Sequence, residues 1–181
     1  EGNPFAPARG DYPGLLSLVQ ETRPTQVTLV PDADGQITSD HGFNLRLDAE
    51  RLHRVIAELK PHCSRISLFV DQDVSDLSLA TEVGADRIEL YTGPYAEACE
   101  SGDYTGCLSA CANTAREAQR LGLGINAGHD LNRKNLQAFL AALPMTSEVS
   151  IGHALFNDAL YDGLYVTVQN YLRVIAAAKS D

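Results

Sequence analysis

The sequence predicts an α/β fold built on parallel strands, namely a (β/α)8 TIM barrel whose first two to three βα units lie outside the given residues. Three observations predict it. Strand-like and helix-like segments alternate through five strands with short returns, which implies parallel strands joined by right-handed crossovers. That pattern fits an open doubly wound sheet or a closed barrel. No G-x-G-x-x-G follows a strand, so the dinucleotide-binding form of the open sheet lacks support. Polar residues recur at strand C-termini (Asp71, Thr92, His129, His153), the face on which barrel sites lie. Five strands cannot close an eight-stranded barrel, so roughly three βα units would have to precede Gln26. Residues 1–181 read as a single domain, the C-terminal part of such a barrel.

Residues 1–12 are loop-like, with glycines, prolines and no periodicity. A short helix is expected over 13–21, with Leu15, Leu18 and Val19 inward. Gln26 to Val30 is β-branched and stops at Pro31, which marks a strand. The polar loop 31–44 is long for a connection, and such loops are often functional. Leu52, Val55, Ile56 and Leu59 form one apolar stripe of a helix over 47–60. Arg65 to Val70 is the next strand. A helix over 71–83 would be entered through acidic residues that suit its N-terminal dipole, with Asp71 and Asp73 as starting residues, and Gly84 would end it. Arg87 to Tyr91 is a strand leading to Thr92-Gly93-Pro94. Asp103 is positioned to cap a long helix to Leu121, with Cys107, Leu108, Cys111, Ala115 and Ala118 inward. The strand 124–129 follows, then a helix over 131–143 stopped by Pro144. A strand over 149–152, a short helix over 154–161 and a final helix over 164–178 close the chain. In that last helix Val168, Tyr171, Leu172 and Ile175 are expected on one side.

The totals restrict function. The chain of 181 residues is 44% hydrophobic and 21% charged, ordinary for a soluble domain, and no apolar run approaches a membrane span. A net charge of −10 disfavours nucleic-acid binding, which needs a basic face. It leaves room for anionic small ligands, because helix N-termini bind phosphate against an unfavourable overall field. Glu1 is followed by no charged n-region with an apolar h-region, so no signal peptide is expected. The chain is expected to start partway into a longer product or to follow processing. The four cysteines, Cys63, Cys99, Cys107 and Cys111, form no C-x-x-C pair and read as thiols of a reducing cytoplasm.

The candidate chemistry lies at the strand ends. Of five histidines, His41, His53 and His62 are accounted for by surface or capping roles. His129 and His153 each follow a Gly at the end of a strand, in consecutive βα units. Glycine there lets the backbone approach a ligand or take unusual torsions. The last two units of a barrel commonly bind phosphate through loop amides and a short extra helix, which Gly152-His153-Ala154 matches. Gly152 and His153 are therefore assigned to a phosphate group, and His129 to proton transfer. Glu89, third in its strand, points either into the barrel or outward; an inward carboxylate is costly unless partnered or functional, so it is a candidate site carboxylate. Thr38 in the long loop is a candidate donor to a phosphate oxygen.

The stretches T-L-V-P-D, I-T-S-D-H-G, S-L-F-V-D, G-A-D-R-I-E-L-Y-T-G-P-Y-A, G-I-N-A-G-H-D-L and E-V-S-I-G-H-A-L resemble the pyridoxine 5'-phosphate synthase family, in the family's order across nearly the whole chain. The opening E-G-N-P-F resembles the segment after that family's third barrel strand. The resemblance implies a TIM barrel whose additional helices serve oligomer contacts, commonly a homo-octamer. It implies a cytoplasmic enzyme of vitamin B6 biosynthesis that condenses 3-amino-2-oxopropyl phosphate with 1-deoxy-D-xylulose 5-phosphate to pyridoxine 5'-phosphate, phosphate and water. It implies no metal and no organic cofactor, and phosphorylated small molecules as partners. By position, Glu1 resembles the family's general base and His129 its general acid. Thr38 and Asp130 resemble substrate-contacting residues, Asp130 through its backbone, and Gly152 and His153 the phosphate-binding pair. The family's Asn-x-Asp-His segment, its second catalytic His and nearby Arg residues have no counterpart in the 181 residues.

Two other readings compete. One is a truncated, non-catalytic homologue acting as a phosphate-binding or assembly module. The other is a barrel aldolase, which would need a strand-borne Lys for a Schiff base; Lys60, Lys134 and Lys179 all fall outside strands.

Overall fold

A computed structural model describes residues 1–33 and 35–178. Asp34 of the long loop and Lys179, one of the three lysines weighed above, lie outside the described residues. Five parallel strands, β1 (Gln26–Leu29), β2 (Arg65–Val70), β3 (Arg87–Tyr91), β4 (Gly124–Gly128) and β5 (Glu148–Ser150), form one sheet in the order 1-2-3-4-5. Sequential neighbours paired in parallel require a helical crossover at every step, so the chain advances around the sheet in one direction. An isolated parallel bridge between Gly2 and Leu29 lays the first residues beside β1, with Gly2 N donating to Thr28 O at 3.1 Å.

The sheet curls, and its side chains show how. Apolar residues Val27, Leu29, Ile66, Leu68, Val70, Ile88, Leu90, Ile125 and Ala127 face the helices and form the core with Leu52, Ile56, Leu59, Ala115, Ala118, Leu136 and Phe139. The alternate residues, polar apart from Phe69 and the two glycines of β4, line the concave face, as period-two strands dictate. The register pairs Gln26 with Arg65, Arg87 with Gly124, and Asn126 with Glu148. Arg65 on β2 reaches both carboxylate oxygens of Glu148 on β5 at 2.6 Å, past two intervening strands. Asn126 on β4 donates to Gln26 on β1 at 3.1 Å. Such contacts require a sheet bent around its concave face. The result is a curled half-barrel with a polar interior.

Helices α1 (Leu15–Thr22), α2 (Leu45–Leu59), α3 (Ser78–Glu82), α4 (Gly93–Ser101), α5 (Thr105–Arg120), α6 (Leu136–Ala142), α7 (His153–Asp162) and α8 (Leu164–Ala178) cover the convex side and the strand ends. α2 begins at Leu45 rather than Leu47, because the Asn44 side chain caps it by accepting from Leu47 N. The helix expected over 71–83 is confined to Ser78–Glu82, and neither Asp71 nor Asp73 starts it. Asp71 instead accepts from Gly42 N at 2.8 Å, and Asp76 takes a left-handed φ of 56° while pairing with Arg46. Gly42 is required there, since a Cβ would fall 2.4 Å from Val70 Cα.

The sequence reading assigns no element between the strand ending at Tyr91 and the helix beginning near Asp103, and the structure places α4 there. Proline suits the first helical turn, and here it opens a helix whose Tyr95 is fully buried. Asp103 does not cap α5; Tyr104 occupies the N-cap with no side-chain bond. α6 starts at Leu136 rather than 131, because Asn132 and Asn135 bond local backbone amides and hold 131–135 in turns. α8 buries Thr167, Tyr171 and Ala178, and the expected Leu172 is 51% exposed. Leu18, expected inward, is half-buried at the edge of α1. No helix among the described residues is long and apolar enough to cross a membrane.

Candidate active site

Strand C-termini, the long loop and the first turn of α7 converge at the concave rim on a cavity of about 490 Å³. Its lining includes Glu1, Thr38, His129, Asp130, Gly152 and His153, together with Ser150, Ile151 and Phe156. The first six are the rim residues singled out from the sequence. Glu89, the seventh, lies beneath the floor, 1% exposed. An adjoining cavity of about 540 Å³ shares Asp130 and His153 with this one and runs toward α4, past Tyr91 and Glu97.

Glu1 sits at the rim because residue 2 is bridged to β1, and Asn3 donates through its side chain to Asp32 O at 2.7 Å. Asp32 in turn accepts from Ser39 at 2.7 Å, beside Thr38. The segment carrying Glu1 and the loop carrying Thr38 are thus held to each other. Thr38 is exposed to the cavity, and its carbonyl accepts from Gln36 at 3.0 Å.

Two carboxylates and an imidazole form the centre. His129 Nε2 lies 3.6 Å from Glu1 Oε1, and one donor atom from each of Glu1, Glu89 and His129 lies within 4.8 Å of the others. Among the described residues this is the one cluster of His, Cys, Asp and Glu with three such atoms so close, a spacing that suits a cation as much as a shared proton. The imidazole rests edge-on against Phe69, with centroids 4.7 Å apart, and faces Tyr91 at 6.0 Å. Burial favours the neutral ring, but Glu1, Glu89 and Asp130 outweigh it and raise the His129 pKa. The imidazole beside Glu1 lowers the Glu1 pKa against its own desolvation. Glu89 is pushed up to about 7, first by burial and then by the Glu1 charge, against the opposing pull of His129, Thr28 and Ser150. Its Oε2 accepts from Thr28 at 3.4 Å, while Oε1 is buried with no hydrogen-bond partner.

Gly128 makes room for that carboxylate. A Cβ there would lie 2.2 Å from Glu89 Oε1. Unusual torsion falls one residue later than the Gly-His pattern suggested, since His129 and Asp130 have φ values of 68° and 54°. Gly152 caps α7 with φ −100°, and nothing lies within 4 Å of where its Cβ would be, so space stands open at the helix N-terminus. First-turn amides there suit an anion.

Ser150, Ile151, Phe156 and Tyr91 were not singled out from the sequence. Register carries a signal for Ser150: it pairs with Gly128, so it shares the face of Glu89. His41, His53 and His62 lie outside the cavity lining.

Comparison with known proteins bears on this geometry. Residues 11–177 match the family model described as pyridoxal phosphate biosynthesis protein PdxJ. The chain is 58% identical over 175 residues to the pyridoxine 5'-phosphate synthase of Xanthomonas axonopodis pv. citri (strain 306), covering 97% of this chain and 69% of that protein. It is 55% identical over 179 residues to the enzyme of the same name from Xanthomonas oryzae pv. oryzae (strain MAFF 311018), covering 99% and 70%. Against that of Xylella fastidiosa (strain M12) the figures are 56% over 175 residues, 97% and 67%.

Proposed function

This chain belongs to the PdxJ family of pyridoxal phosphate biosynthesis proteins, and from that membership we propose that it acts as a pyridoxine 5'-phosphate synthase. Its substrates are 3-amino-2-oxopropyl phosphate and 1-deoxy-D-xylulose 5-phosphate. The observation that carries the reading is the one cavity lined by Glu1, Thr38, His129, Asp130, Gly152 and His153.

The roles are those the family resemblance implies, and charge and position support them. Schiff-base formation, phosphate elimination, water addition and ring closure each need a proton removed from one atom and delivered to another. Glu1, whose pKa is lowered, is the general base. His129, whose pKa is raised, is the general acid. Glu89, with a pKa of about 7, holds a proton near neutral pH within 4.8 Å of both neighbours. Gly152 and His153 bind a substrate phosphate at the start of α7, where amides and the helix dipole favour an anion. The Thr38 hydroxyl contacts substrate from the long loop, and Asp130 does so through its backbone.

The half-barrel is the C-terminal part of a single (β/α)8 domain. The curl measured by the Arg65–Glu148 contact and the greater length of the relatives support this. The enzyme assembles as a homo-oligomer. Exposed Phe156, Leu160, Tyr161, Leu164 and Tyr165 on α7 and α8 supply an apolar surface for it.

The test supplies the complete enzyme with both substrates and follows pyridoxine 5'-phosphate and inorganic phosphate. Equal amounts of the two products, dependent on both substrates, are expected. Phosphate release without pyridoxine 5'-phosphate would count against the assignment.

A further inference from the structure

We propose that Thr92 is a positioning residue for the reaction: its buried hydroxyl holds the left-handed turn that aims His129 at Glu1. This rests on the reading of His129 as the general acid.

His129 and Asp130 are consecutive non-glycine residues with positive φ, 68° and 54°. Such torsions are costly for L side chains and persist only where surrounding structure over-determines them. Each carbonyl of the pair is held by a buried side chain, and that of Asp130 also accepts from Asn132 Nδ2 at 3.5 Å. Thr92 is fully buried, and its hydroxyl lies 2.7 Å from Gly128 O and in close contact with His129 O. Its amide also donates to Gly128 O at 3.1 Å. Asn135, 3% exposed, donates to Asp130 O at 3.2 Å and accepts from Asn132 N at 2.8 Å. Tyr95, fully buried on α4, donates to Asn135 O at 2.8 Å and ties the two holders together.

Neither Thr92 nor Asn135 lines the cavity of Glu1 and His129. They act through the backbone. With the turn held, the imidazole rests edge-on against Phe69 and its Nε2 comes within 3.6 Å of Glu1. With His129 in an ordinary backbone conformation, the Cα–Cβ bond points elsewhere and the imidazole leaves Glu1 and Glu89. The charged or titratable groups around the ring are Glu1 from the N-terminal segment, Glu89 and Tyr91 from β3, and Asp130 beside it.

Thr92→Val keeps the shape and removes the hydroxyl, and Thr92→Ser keeps the hydroxyl. In the complete enzyme Thr92→Val is expected to lower kcat about tenfold, the equivalent of one hydrogen bond, with KM within about twofold. The His129 imidazole, read by NMR, should titrate at lower pH than in the wild type. Thr92→Ser should restore both. Wild-type kcat and titration in Thr92→Val, or equal impairment in Val and Ser, would overturn the proposal. If Thr92→Val fails to fold, Asn135→Leu replaces it. That change removes the Nδ2 donor to Asp130 O without adding a charge and should give the same signature, and a wild-type titration there would refute the clamp. His129→Gln is run in parallel. Undiminished turnover in that variant would sink the general-acid reading, while the NMR titration still decides the role of Thr92.

Discussion

Glu89→Gln isolates the electrostatic cost built into the site. The carboxyl is 1% exposed, one of its oxygens has no partner, and its pKa rises from 4.5 to about 7. A raised folded-state pKa means that the folded protein binds this proton more tightly than the unfolded chain. The associated stability is fully present below pH 4.5 and is lost as pH rises through about 7. A shift of that size corresponds to roughly 3 kcal/mol between the two limits. Glutamine has the same shape and cannot ionise, so it removes the pH-dependent part. Any fixed cost of burying its amide appears equally at every pH. Urea unfolding of wild type and Glu89→Gln at steps between pH 4 and pH 9 measures the difference. The variant should gain on the wild type by roughly 3 kcal/mol across that range, with most of the change between pH 5 and pH 7.5. A difference that stays constant with pH would refute the reasoning, because Glu89 would then titrate alike in both states.

Further predictions concern its neighbours. Gly128→Ala places a methyl 2.2 Å from Glu89 Oε1, so it should cost about 1–3 kcal/mol in urea unfolding and lower kcat as the carboxylate is displaced. Glu1→Gln removes the anion beside His129, so the imidazole titration seen by NMR should move to lower pH; an unmoved titration would mean that Glu1 is not the partner. Gly152→Asp puts a carboxylate at the start of α7 in open space, so folding should be retained while inorganic phosphate binding, measured by calorimetry, weakens at least about tenfold. Arg65→Met breaks the contact with Glu148 across the concave face and should lower stability by about 1–3 kcal/mol, leaving Gln26 and Glu148 without their shared donor.

Much of the fold was legible because its signals are local. β2 and β3 were bounded correctly at Arg65–Val70 and Arg87–Tyr91, where β-branched and apolar residues sit between turn residues. The errors arose where a side-chain bond to the backbone, distant or local, decided the outcome. Asp71 resembles a helix-start residue until Gly42, 29 positions away, claims its carboxylate. Asn132 and Asn135 delay α6 because their side chains serve turns around Asp130. His129, Gly152 and His153 were legible because glycine beside histidine at two strand ends is a local pattern, whereas Glu1 and Asp130 came only from the family resemblance. The direction of Glu89 was not. Alternation in Arg87, Glu89 and Tyr91 shows that they share a face, but only the curled sheet makes that face an interior. The left-handed turn at His129 was hidden too, because Thr92, whose hydroxyl meets the Gly128 and His129 carbonyls, lies 36 and 37 positions from them in sequence.

We propose that His129 delivers protons in this cavity. Pyridoxine 5'-phosphate formation by His129→Ala in the complete enzyme, with folding verified by circular dichroism, tests it most directly. Product formation should be abolished while the folded spectrum is retained. Turnover equal to the wild type in a folded His129→Ala protein would contradict the account.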